Sequence, residues 1–238
     1  MLMKEAIWRE LERFNIIEDH DGKPVALKDL SSLLQIAKQG TGTEPPYAIA
    51  SVLMRSIAFV FVAQLYALSK YRLKWSGDGR EIFIANRTIG GRWAPQWILQ
   101  NGSWVTVSEE DVFLSLQRMI CDECGPIVKA LAIETKSSPM VLWENVWGYV
   151  LWMYVQLFQE SGPIAERAHQ DLELLLDHDV WKDIERSSPF KKFLQGKTPE
   201  EAMASFARVT CCLYYMVPGN ERCSYCPLLS RDKCLQPE

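Results

Sequence analysis

The sequence predicts an α+β fold that is predominantly helical and carries a small antiparallel β-hairpin sheet. Three observations lead there. Several long stretches repeat apolar residues at helical spacing. One block, about residues 80–107, instead alternates β-rich runs with turn residues. The 238 residues are 48% hydrophobic and 24% charged, the balance of an ordinary folded chain with a buried core, which excludes a disordered or fibrous class.

In chain order, residues 4–14 read as a short amphipathic helix, and Asp19-His20-Asp21-Gly22-Lys23-Pro24 is turn chemistry. Leu30, Leu33, Leu34 and Ala37 give helical spacing between Leu27 and Lys38. A loop of Gly, Thr and Pro precedes a long apolar helix from Tyr47 to Tyr71. Its Arg55 requires a partner or a route to solvent, because an unpaired buried charge is costly. Glu81–Ala85 reads as a strand. Gln96–Gln100 and Trp104–Val107 flank Asn101-Gly102-Ser103, a hairpin signal. Beyond it the chain is helical. Ser108 and Asp111 suggest a capping box, Pro139 opens an apolar helix through Gln159, and Gly162-Pro163 opens another with Glu166, Arg167, Gln170 and Asp171 on its polar face. Thr198-Pro199-Glu200-Glu201 starts a helix expected to run through Phe206 to about Tyr215.

The net charge of −4 argues against nucleic acid as the main partner. The N-terminus is charged and lacks a secretory pattern, so a cytoplasmic location with reduced cysteines is expected. Ser56–Leu68 and Asn145–Gln159 are uncharged or apolar but shorter than the ~18–20 residues of a membrane span. That predicts no span and leaves peripheral membrane contact open.

Five of the seven cysteines crowd the last 28 residues: Cys211, Cys212, Cys223, Cys226 and Cys234. The first four form C-C-x10-C-x2-C. Four thiolates suit either a [2Fe–2S] cluster or an all-cysteine zinc site. Adjacent cysteines strain a single tetrahedral ion, whereas a two-iron centre relaxes that geometry. The segment Arg208-Val209-Thr210-Cys211-Cys212-Leu213-Tyr214-Tyr215, then Pro218-Gly219 and Cys223-Ser224-Tyr225-Cys226-Pro227-Leu228, resembles the C-terminal signature of the FhuF-type ferric-siderophore reductases. The resemblance implies that Cys211, Cys212, Cys223 and Cys226 hold a [2Fe–2S] cluster in a C-terminal module, 208–238, behind a body of residues 1–207. It implies one-electron reduction of an imported ferric siderophore, of hydroxamate or citrate-hydroxamate type, with release of Fe(II). The hard oxygen donors of such chelators hold Fe(II) far more weakly than Fe(III). No glycine-rich nucleotide fingerprint is present, so an external donor such as a ferredoxin or a flavoprotein reductase is expected. The rival readings are an iron- or redox-sensing Fe–S protein without enzymatic activity, and a structural zinc protein.

Cys121-Asp122-Glu123-Cys124 is a second C-x2-C; two cysteines packed in a helix are the expectation there. His20, His169 and His178 lack ligand spacing. Glu144 and Asn145, on an apolar helix, are expected to make satisfied internal hydrogen bonds. The loop containing Arg87, Arg92 and Trp93 is a candidate contact for an anionic ferric siderophore, against the plainer reading of a solvated turn.

Overall fold

The computed structural model describes residues 2–17, 25–77, 79–205 and 207–229; the Asp19–Pro24 turn, Phe206 and Cys234 lie outside them. The described chain is mostly helical with small sheets, an α+β architecture. Helix α1 (Leu2–Leu11) runs through a 3₁₀ turn, Glu12–Phe14, into strand β1 (Ile16–Ile17). After β2 (Val25–Ala26), α2 spans Leu30–Thr41, three residues later than its apolar spacing begins. Asp29 caps it by accepting the Ser32 N–H at 3.1 Å.

Helix α3 (Pro46–Tyr71) is the axis of the molecule. Pro46 sits at its first position, where no N–H is needed, and Arg72 ends it in the left-handed conformation. The helix is long and apolar enough to cross a membrane, yet 89% of its most apolar window is buried inside the protein. It packs most extensively on α6 (Pro139–Leu157), which is apolar nearly all round for the same reason.

At the C-terminal end of α3 the charges are paired. Arg72 Nη1 lies 2.7 Å from Asp171 Oδ2, and Arg72 Nε donates to Glu109 at 2.9 Å. Ser69 Oγ donates to the same Asp171 oxygen at 2.6 Å. Asp171 belongs to α7 (Pro163–Leu176) and is only 1% exposed, so it lies outside the polar face that its helical position suggests. Burial pushes its carboxyl up, and the bonds from Arg72 and Ser69 pull against that shift.

The strands do not form a single hairpin sheet. β4 (Ile82–Ala85) and β7 (Gln96–Leu99) pair antiparallel at the centre of a four-stranded sheet ordered β1-β7-β4-β2, in which β1 joins β7 in parallel. β3 (Leu73–Trp75) pairs instead with β8 (Trp104–Thr106). Asn101-Gly102 therefore links two sheets and closes no hairpin. Asn101 does take the left-handed conformation, and Gly102 lies where a Cβ would meet the Trp75 ring at 2.4 Å. The tight hairpin is β5 (Thr88–Ile89) with β6 (Arg92–Trp93), turning on Gly90 and Gly91, both at positive φ.

Ser108 Oγ bonds the Asp111 carboxylate at 2.8 Å rather than a backbone N–H, so it is not a capping box; a 3₁₀ turn precedes α4 (Val112–Arg118). A π turn, Met119–Cys124, then leads into α5 (Gly125–Thr135). Pro126 has no N–H for the carbonyl one turn back, and the helix widens there. Helices α8 (Pro189–Leu194) and α9 (Pro199–Ser205) follow. The Thr198 start forms as its sequence demands: the Thr198 N–H donates to Glu201 at 3.0 Å, and the Glu201 N–H donates to Thr198 Oγ1 at 3.2 Å.

Candidate metal centre

The α9 helix does not continue to Tyr215. Cys211 and Cys212 lie in a non-helical stretch, and a short 3₁₀ turn, Tyr214–Met216, follows. Beyond α9, Glu144 on α6 accepts N–H groups of the non-helical stretch. Its carboxylate accepts the Val209 N–H at 2.6 Å, the Thr210 N–H at 2.7 Å and the Thr210 hydroxyl, with Arg208 Nη2 at 3.4 Å. Glu144 is 3% exposed. A carboxylate can be buried there because donors and a cation surround it.

The neighbouring Asn145 completes the anchor. Its Oδ1 accepts Arg208 Nη2 at 2.9 Å, and its Nδ2 donates to Ser51 Oγ at 2.8 Å. Ser51 Oγ in turn donates to the Cys212 carbonyl at 2.6 Å. Two polar residues on α6 and one on α3 thus fix the backbone on both sides of the adjacent cysteines. The expectation of satisfied hydrogen bonds for Glu144 and Asn145 holds, and their partner is the cysteine segment itself.

Leu213, in the left-handed conformation, turns its N–H toward Cys211 Sγ at 3.4 Å. The chain returns through Pro218-Gly219, with Gly219 at φ 82°. A tight turn in which the Cys226 N–H donates to the Cys223 carbonyl at 2.9 Å then presents the C-x2-C pair. Cys211 Sγ and Cys226 Sγ end 3.7 Å apart. Two sulfurs on one tetrahedral metal with bonds of about 2.3 Å sit ~3.8 Å apart, so this pair already has the spacing of co-ligands. Cys223 lies within electrostatic reach of both Cys212 and Cys226. Among the described residues no three His, Cys, Asp or Glu side chains are grouped so as to hold a metal ion. The four thiols of the segment, of which Cys211 and Cys226 are in contact, fit the demand of a two-iron cluster in number and type.

Burial pushes the Cys211 thiol up to about 11; the Leu213 N–H opposes that shift and nearby Cys226 adds to it. Burial, then Cys212 and Cys226, likewise raises the Cys223 thiol. Thiolates at Cys211 and Cys223 are unfavourable here without a compensating positive centre. Two arginines flank the site. Arg55 Nη1 is 3.9 Å from Cys212 Sγ, and its guanidinium lies 4.5 Å over the Tyr214 ring. Burial works against the Arg55 charge, but Tyr149, Cys212 and Tyr214 more than offset it and raise its pKa. The partners that Arg55 requires are thus Tyr149 on α6 and the cysteine segment.

Beside Cys212 opens a cavity of about 430 Å³ whose walls include Arg13, Arg55, Arg208, Tyr149 and Trp152. Arg87, Arg92 and Trp93 do not line it. They stand on the β5–β6 hairpin, where Arg87 and Arg92 are exposed and the Trp93 indole donates to Asn86 Oδ1 at 2.8 Å. The Trp93 ring also lies against Gly40, where a Cβ would come within 2.1 Å of it.

Sequence reasoning flagged Arg55 without finding its role, named Arg208 only as part of the cysteine motif, and missed Ser51 and Arg13. The available signal was polar residues, Ser51 with Arg55 and Glu144 with Asn145, on the two most apolar helices. Cys121 and Cys124 belong to the π turn, where Cys121 Sγ donates to the Val180 carbonyl at 3.3 Å and Cys124 is buried. His169 stacks on Phe158, and His178 is exposed.

Residues 208–228 match the FhuF 2Fe–2S C-terminal domain family. Neither a curated protein nor a solved structure matches the chain significantly.

Proposed function

We propose that Cys211, Cys212, Cys223 and Cys226 ligate a [2Fe–2S] cluster and that the protein is a cytoplasmic ferric-siderophore reductase. The observation that carries this reading is the 3.7 Å approach of Cys211 to Cys226 inside the segment that matches the FhuF 2Fe–2S domain. When bound, such a cluster supplies one electron to chelated Fe(III), giving Fe(II), and is recharged by one electron from an external ferredoxin or flavoprotein reductase.

The chain's own residues do the rest. Glu144, Asn145 and Ser51 hold the ligand backbone rigid, so little reorganisation accompanies a change of charge at the site. Arg55 places a positive charge beside Cys212 and favours the more negative, reduced state. The cavity at Cys212 gives a chelate a place next to a ligand sulfur. The β5–β6 hairpin, with Arg87, Arg92 and Trp93, offers a second, outer contact for a ferric siderophore in this reading.

A single-turnover experiment tests the proposal. Protein reduced under anaerobic conditions and freed of reductant is mixed with ferric siderophore and a colorimetric Fe(II) trap. One Fe(II) per chain is expected. No Fe(II) with hydroxamate or citrate-hydroxamate chelates would reject the assignment.

A further inference from the structure

The cavity beside Cys212 has features that packing alone does not explain. Gly148 stands in the middle of α6, a helix otherwise filled with large side chains such as Trp143, Trp147 and Tyr154. A Cβ built on Gly148 meets nothing within 4 Å, and the residue faces the cavity. Glycine weakens a helix interior, so an apolar side chain here would strengthen both the helix and its packing. The sequence leaves the space open instead.

The walls are also charged in one sense. Arg13, Arg55 and Arg208 line the cavity, and no carboxylate does so among the described residues. Arg208 is held by Glu144 and Asn145. Arg13 and Arg55 meet no carboxylate among the described residues. Arg13 bonds Gln156 and lies 5.2 Å over the Trp152 ring; Arg55 meets Tyr149, Tyr214 and Cys212. Converging cations repel unless an anion joins them. A volume of about 430 Å³ lies within the usual range of small-molecule sites, roughly 300–1,000 Å³.

Building on the reductase reading, we propose that this cavity is the substrate site and that it selects anionic, carboxylate-bearing ferric chelates over cationic ones. Arg13 and Arg55 hold the chelate's free carboxylates. Trp152 and Tyr149 contact its apolar face. Arg55, which lines the cavity 3.9 Å from Cys212 Sγ, offsets the repulsion between an anionic chelate and an anionic cluster. Gly148 keeps the space clear.

Binding is measured by calorimetry on the cluster-loaded protein with gallium(III) complexes, which match ferric chelates in charge and shape but resist reduction. One probe is an anionic citrate-dihydroxamate complex, the other a linear trihydroxamate complex bearing a free ammonium. The anionic probe is expected to bind at least tenfold more tightly. Arg13→Gln is expected to weaken it by about tenfold, and Gly148→Leu to abolish it, both with unchanged cluster absorption. Equal or stronger binding of the cationic probe overturns the selectivity. Unchanged affinity in Arg13→Gln overturns the site, and this variant decides the matter even if Gly148→Leu fails to fold. If wild-type protein reduces ferric chelates while these variants bind normally, the cavity assignment fails and the reductase reading stands. If wild-type protein reduces none, the reductase reading itself fails.

Discussion

The chain contains two C-x2-C motifs of identical spacing, Cys121–Cys124 and Cys223–Cys226, in opposite surroundings. Cys121 and Cys124 sit in a helical π turn. One thiol bonds the Val180 carbonyl, and the other is sealed in the core. Cys223 and Cys226 sit in a tight turn outside regular structure, and Cys226 faces Cys211 across 3.7 Å. Arg55 and Arg208 attend the second site. The spacing alone therefore carries little chemistry. Backbone type, a second thiol pair and nearby cations set the two motifs apart.

The largest expected effect breaks the comparison directly. Serine at Cys211, Cys212, Cys223 or Cys226 is expected to abolish or severely deplete the cluster, read as iron and sulfide per chain. Serine at Cys121 is expected to leave both at wild-type levels. Equal losses at the two motifs would remove the distinction.

The next effect concerns the anchor. Glu144→Ala leaves Arg208 uncompensated and two N–H groups unbonded beside the cysteines, so a loss of about 3–5 kcal/mol is expected in denaturant unfolding. Cluster retention should fall in the same variant. Asp171→Ala leaves Arg72, at the far end of α3, with Glu109 as its one remaining carboxylate among the described residues, and is expected to cost about 1–3 kcal/mol. Where it folds, it should load the cluster normally, so the two buried charge pairs separate site support from general stability.

A smaller effect is electronic. Arg55→Gln removes a positive charge 3.9 Å from a ligand sulfur, and the reduction potential is expected to fall by on the order of tens of millivolts. The stoichiometry of iron should not change. An unaltered potential, measured by EPR-monitored titration, would show that solvent screens Arg55 completely.

The smallest effect is at Cys121 and Cys124. Burial raises both thiols, Cys124 far above the ordinary range. The reactive thiolate is scarce at pH 8 in consequence, so alkylation should be slower than for a free cysteine and should accelerate as pH rises. Mass spectrometry of native protein is expected to show Cys124 unmodified until the protein unfolds. Rapid modification at pH 7 would contradict its buried placement.

The parts of the fold written in local signals were legible. The apolar run of α3, the Pro139 start of α6, and Thr198 with Glu201 act within a turn or two of the chain, and so does C-C-x10-C-x2-C. Features made by distant partners were not. The parallel pairing of Ile16 with Trp97 leaves no trace in either short strand. Asn101-Gly102 carries the local signature of a hairpin, but Trp104 finds its partner in Trp75 rather than across that turn. The non-helical stretch after α9 is held by Glu144, a residue on another helix, which accepts the N–H groups of Val209 and Thr210. Arg87 and Arg92 are legible as a pair because they stand close in the sequence. Arg13, Arg55 and Arg208 come together only through folding.

The central claim is that the tail holds a two-iron centre. Its most direct test is metal and sulfide analysis of fresh, anaerobically purified protein, combined with EPR before and after dithionite. About two iron and two sulfide per chain are expected, EPR-silent when oxidised and giving a spin-½ signal when reduced. A colourless protein carrying one zinc ion and no labile sulfide would contradict it.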